Sequence, residues 1–144
     1  MSLSLRKKLA FGAATAALAA SAGMLTAAPA SAGPNCASGY HCIFYLGINN
    51  SARHSYYNSD SNFAGDTFNQ LTTRAGAGLS ANNNTVSASN SSSSGLESHY
   101  YNGTGYSGFV FCVNPGSYVD YLPTAHQNQA SSLQLRGTTT ISCY

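Results

Sequence analysis

The sequence predicts an all-β protein, an antiparallel β-sandwich of two related halves tied by disulfides. Three observations carry this. The apolar and aromatic runs are short and rich in Tyr, Phe, Val and Thr, as strands are. Asn/Gly/Ser stretches that tolerate positive φ separate them at regular intervals. Past the amino terminus no apolar pattern of helical period is visible, while four cysteines stand at Cys36, Cys42, Cys112 and Cys143.

The chain opens on an address. Arg6-Lys7-Lys8 is a cationic head, Leu9 to Leu25 an Ala/Leu-rich apolar run, and Ala30-Ser31-Ala32 a small-residue cleavage site, so residues 1–32 read as a signal peptide. Gly12 and Gly23 interrupt the run and no stop-transfer charges follow it, which argues against a membrane span. The mature chain, 33–144, has the length of a single domain with a modest core. Its basic residues are Arg53, Arg74 and Arg136, against Asp60, Asp66, Glu97 and Asp120, a formal charge of −1. With no lysine and no basic cluster it lacks the means to neutralise phosphates, so nucleic acid is excluded as a partner.

Export implies an oxidising compartment, where four cysteines in a small chain read as two disulfides with three possible connectivities. Proximity favours Cys36 with Cys42, over a short loop, and leaves Cys112 with Cys143. A zinc site is the weaker reading, because paired C-x-x-C knuckles are missing.

Strands are expected at Cys42 to Leu46, Ser55 to Tyr57, Ser98 to Tyr101, Phe109 to Val113, Ser117 to Leu122, Ser132 to Leu135 and Thr138 to Cys143. Ser87 to Gly95 is low in complexity and reads as a loop between the halves whose start contributes at most a strand. A duplication is also visible. Tyr57, Phe63, Gly65 and Phe68 match Tyr101, Tyr106, Gly108 and Phe111, and Asn83-Asn84-Thr85-Val86-Ser87 matches Gln127-Asn128-Gln129-Ala130-Ser131. The offsets are 43 and 44 residues. Two copies are too few for a solenoid and suit one domain with pseudo-twofold symmetry.

Tyr101-Asn102-Gly103-Thr104-Gly105-Tyr106-Ser107-Gly108 resembles the signature of a βγ-crystallin Greek key, in which the second aromatic packs across a folded hairpin and the glycine adopts a backbone closed to residues with a Cβ. The Asn-Asn-x-x-Ser and Asn-x-x-Ser-Ser segments resemble the arch before the last strand of each crystallin motif. Cys36-Ala37-Ser38-Gly39-Tyr40-His41-Cys42-Ile43-Phe44-Tyr45 is similar to the opening of the secreted bacterial branch that includes Streptomyces-type metalloproteinase inhibitors. The resemblance implies a βγ-crystallin-like sandwich of two Greek keys. It starts the first motif at Cys42 to Tyr45, whereas the repeat starts it at Tyr57; the family register is preferred, and Asp60 to Phe68 is left open.

Three functions follow as expectations. The resemblance implies an inhibitor of an extracellular metallopeptidase, with its reactive bond at Cys112-Val113 ahead of the turn Asn114-Pro115-Gly116, and the protein is expected to be a monomer that needs no cofactor; the alternative is a plain strand end and turn. The arches suggest a weak calcium module using Asn84, Ser87, Asn128 and Ser131, although no carboxylate lies in either arch and such side chains more often cap their own turns. The tyrosines suggest a cell-wall or glycan-binding face, against a role as amphipathic core and rim. Catalysis is not expected, since His41, His54, His99 and His126 are scattered and stand in no catalytic motif.

Overall fold

The computed structural model describes residues 32–144; the expected signal peptide falls on residues outside these but for Ala32. The protein is all-β, in two antiparallel sheets. The strands are β1 (His41–Phe44), β2 (Arg53–Tyr56), β3 (Ser87–Asn90), β4 (Glu97–Gly103), β5 (Ser107–Val113), β6 (Tyr118–Val119) and β7 (Ser132–Arg136). One sheet runs β2-β1-β3-β6 and the other β5-β4-β7. In each half the last strand returns beside the first, which is the Greek-key path. The third segment of each half, the strand β6 in the second half and a single bridged residue, Asp60, in the first, leaves for the other sheet. β6 of the second half pairs with β3, and Asp60 of the first half bridges Leu133 of β7.

The duplication is real, but its register differs from the one expected. Asn83 donates its N–H to the Ala130 carbonyl (2.9 Å) and Asn128 donates to Thr85 (2.8 Å), a reciprocal pair across the pseudo-twofold axis. Equivalent arch residues are thus 45 apart, not 44, and Asn83 rather than Asn84 matches Asn128, each with positive φ. The match of Tyr57 to Tyr101 fails: Tyr57 follows β2, whereas Tyr101 lies in β4 and Phe111 in β5. Gly65 takes no positive φ, unlike Gly108. The equivalent of buried Leu122, which donates to Val86, is buried Phe63, which donates to Ser131. Phe63 and Val86 are 23 residues apart but Leu122 and Ser131 only 9, so the first half carries an insertion of 14 residues. That insertion lies along the outer edge of β2, through Arg53 pairing with Gln70 and Ser51 with Ala75, and buries Phe68.

Two further expectations are corrected. Thr138 to Cys143 forms no strand; β4 already has β5 and β7 on its two edges, and the segment runs outside the sheet. Conversely Ser87–Asn90, expected mainly as loop, is a fully buried inner strand between β1 and β6. Its polar side chains are largely satisfied: Ser87 Oγ donates to Asp120, and Asn90 Nδ2 donates to the carbonyls of Leu96 and Val113.

The main core lies between the sheets and includes Ile43, Tyr56, Phe63, Phe68, Tyr100, Phe111, Val113, Leu122 and Leu133. Tyr56 stacks on Phe63 at 4.7 Å and Tyr100 on Phe111 at 4.5 Å. A second, smaller cluster of Cys36, Cys42, Phe44 and Ile48 lies around the first disulfide. In the β4–β5 hairpin Tyr106 has a φ of 63° and its ring stands 6.1 Å from that of Tyr101. Gly108 has a φ of 67°, and a Cβ there would fall 2.0 Å from Asn102 Oδ1. The folded hairpin therefore requires this glycine, as its signature implied.

Candidate functional site

Both disulfides form with the pairing that proximity favoured, Cys36 with Cys42 and Cys112 with Cys143. The second fastens the last residues to β5. Tyr144 donates its N–H to the Cys112 carbonyl (3.0 Å), Asn114 donates to the Tyr144 carbonyl (2.8 Å), and Asn114 Nδ2 donates to the Cys143 carbonyl (3.1 Å). The tail covers the free edge of β5 only near Cys112 to Asn114. Beside it a cleft of about 360 Å³ opens, lined by Phe109, Phe111, the disulfide, His126 and Tyr144. Phe109 is 44% exposed and Tyr144 38%. The imidazole of His126 lies parallel to Phe111 at 6.4 Å, with Tyr144 edge-on to Phe111.

The expected reactive bond lies next to this cleft, but inside the fold. Cys112 is buried and Val113 has no exposed surface; Val113 pairs with Ser98, and its carbonyl accepts from the buried Asn90 amide at 2.9 Å. A peptidase cannot reach that bond in the folded protein, so Val113 is core. Asn114-Pro115-Gly116 is a turn, closed by Ser117 N–H to the Asn114 carbonyl and with positive φ at Gly116.

The calcium candidates are distributed over the two arches, and most are engaged locally. Ser87 Oγ donates to Asp120 and accepts from Tyr121 N–H. Ser131 Oγ donates to Asn83 Oδ1 across the axis (2.9 Å). Asn84 Nδ2 donates to the carbonyls of Ser80 and Asn82, leaving its Oδ1 as the oxygen to offer. Asn128 is exposed. Asp120, which the sequence does not single out, brings a carboxylate to Ser87, but the same oxygen accepts the Ile48 N–H at 3.0 Å.

Another group missed in the sequence is Glu97, His99 and Thr139. His99 Nε2 lies 2.7 Å from Glu97 Oε2, and Thr139 donates both its N–H and its hydroxyl to the same carboxylate. Burial raises the Glu97 pKa, but the hydrogen bonds from His99 and Thr139 outweigh it and hold the group below its ordinary value. The spacing of Glu97 and His99, two apart on a strand, places them on one face and is a readable signal. His99, Cys112 and Cys143 cluster closely enough to suggest a metal, but the two sulfurs are joined to each other and offer no thiolate. His54 lies in β2, its Nδ1 2.7 Å from the Thr67 carbonyl, and Asp60 accepts from Asn62 N–H.

No protein-family model matches the chain, and no curated protein matches it. Among solved structures it is similar to the crystal structure of the N-terminal domain of protein S, at 17% identity and a TM-score of 0.45, over 68% of this chain and 96% of that one.

Proposed function

We propose that the protein acts outside the cell as an inhibitor of a secreted metallopeptidase, working as a monomer without catalysis of its own. The observation that supports this reading is the clamped tail beside the open part of the β5 edge. A disulfide and three hydrogen bonds fix Asn114 and Cys143 to Tyr144 against β5, and Phe109 and Tyr144 present apolar surface at the cleft. A surface already rigid loses little conformational freedom on docking, and aromatic anchors at its centre supply most of the binding energy. The contact is assigned to this rim and not to the buried Cys112-Val113 bond. Calcium, where it binds the arches, is a weak stabiliser apart from this surface, and inhibition needs no cofactor.

The test is inhibition of a thermolysin-like enzyme by the mature protein at about micromolar concentration. Phe109→Asp and Tyr144→Asp should each weaken inhibition by about thirtyfold or more while the protein stays folded. Untouched peptidase activity removes the reading; inhibition indifferent to both substitutions removes the assignment to this rim.

A further inference from the structure

A second cleft, of about 410 Å³, opens at the end of the sandwich where β1 begins and β2 ends. It shares no lining residue with the cleft beside β5. Its floor is His41, only 1% exposed, whose Nδ1 lies 2.6 Å from Ser98 Oγ; among the described residues Nε2 has no hydrogen-bond partner. Burial lowers the His41 pKa to about 4, so the ring is neutral and offers Nε2 either as donor or as acceptor. On the rim stands Tyr57, 64% exposed, its ring held edge-on by Tyr40 at 5.4 Å. Asn58, Ser93 and Ser94 complete the polar side of the rim, and Leu135 part of the apolar side.

No residue lining this cleft carries a charge at neutral pH. An ionic ligand would lose its hydration there with no counter-charge to replace it. A hydrocarbon ligand would leave the amide, the hydroxyls and the imidazole unpaired on desolvation, a penalty at each group. What satisfies both halves of the lining is a neutral ring with one apolar face and many hydroxyls. Its C–H face would lie on the electron-rich face of Tyr57, and its hydroxyls would reach Asn58, Ser93 and His41 Nε2.

We propose that the cleft at the sandwich end, between Tyr57, Asn58, Ser93 and the His41 floor, is a binding site for a neutral saccharide. An exported protein carrying such a site is held at a glycan surface, independently of whatever the β5 face does.

The test is a titration of the 15N-labelled mature protein with cellotetraose, chitotetraose and, as the anionic comparator, tetragalacturonate, followed by amide chemical shifts. At least one of the two neutral sugars should shift Gly39, Tyr57, Asn58 and Ser93 with a Kd of about 10 mM or tighter. Tyr57→Ala should weaken that binding about tenfold or more, Asn58→Ala should weaken it, and Tyr57→Phe should retain it, because the ring and not the hydroxyl makes the platform. Tyr57 and Asn58 are exposed, so the amide spectra of the variants should remain those of the folded protein. The proposal is overturned if neither neutral sugar shifts these amides at about 10 mM, if the shifts lie elsewhere, if Tyr57→Ala binds as well as wild type, or if tetragalacturonate binds this cleft more tightly than both.

Discussion

Lowering the pH below neutrality should destabilise the protein through His41. Its imidazole is buried against Ser98, and burial lowers its pKa from 6.5 to about 4. Between those values the unfolded chain binds a proton that the native state refuses, so the unfolded state holds more protons and stability falls as pH falls. The contribution is complete above about pH 6.5 and is lost progressively down to about pH 4. At 1.36 kcal/mol for each unit of difference, the loss across that window is about 3 kcal/mol. Glu97 acts lower: its depressed pKa favours the native state above the ordinary value of 4.5, and that part is lost only as pH falls through the lower folded value. Urea unfolding at steps between pH 7 and 4.5 isolates the histidine, read against His41→Gln, which keeps a polar side chain but has no proton to gain. Wild type should lose about 2 kcal/mol or more over this range beyond what the variant loses. Parallel pH profiles for the two proteins would refute the reasoning, since the buried neutral ring would then contribute nothing to the linkage.

The two disulfides should differ in worth. Replacing Cys112 and Cys143 by serine, with a separation of 31, should lower stability by about 3 to 4 kcal/mol, whereas the Cys36–Cys42 pair, with a separation of 6, should lower it by about 2, measured by urea unfolding. Phe111→Ala removes a ring stacked on Tyr100 and should lower stability by about 3 to 5 kcal/mol in the same experiment. Gly108→Ala puts a methyl onto Asn102 in a left-handed backbone and should lower it by about 1 to 3 kcal/mol, with the melting temperature as readout. Replacing EDTA by 1 mM calcium should stabilise by about 0.4 to 1.4 kcal/mol, and an unchanged melting temperature at about 10 mM would end the calcium reading.

The parts of the fold legible in the sequence were those whose chemistry is local. The Tyr106 and Gly108 signature specifies one hairpin, and the cysteine spacing favours the pairing that forms. What was not legible depends on neighbours distant in sequence. Ser87-Ala88-Ser89-Asn90 has the composition of a loop, yet β1 and β6 flank it and Asp120, Leu96 and Val113 take up the polar groups of Ser87 and Asn90. Thr138 to Cys143 has the composition of a strand, yet no edge of β4 is left for it, while Glu97 and Cys112 hold it outside the sheet. The 14-residue insertion masks the repeat, so a match of aromatic spacing links Tyr57 to the wrong element. At the candidate site the sequence pointed to the Cys112-Val113 bond, but the burial of Val113 follows from packing between sheets that no local pattern reports.

The exchange of third segments has a consequence for how such a domain arises. Neither half holds a complete sheet of its own, because β6 belongs to the partner half's sheet and Asp60 reaches across to β7. A chain cut in the loop near Gly95 should therefore yield two fragments that fold only when mixed. By the same geometry, a chain carrying one such motif becomes a folded unit by meeting a second copy of itself, each lending its third segment to the other. The present protein then has the connectivity of a swapped homodimer joined into one chain, with the insertion shielding the outer strand of one half and the tail covering only part of the β5 edge in the other.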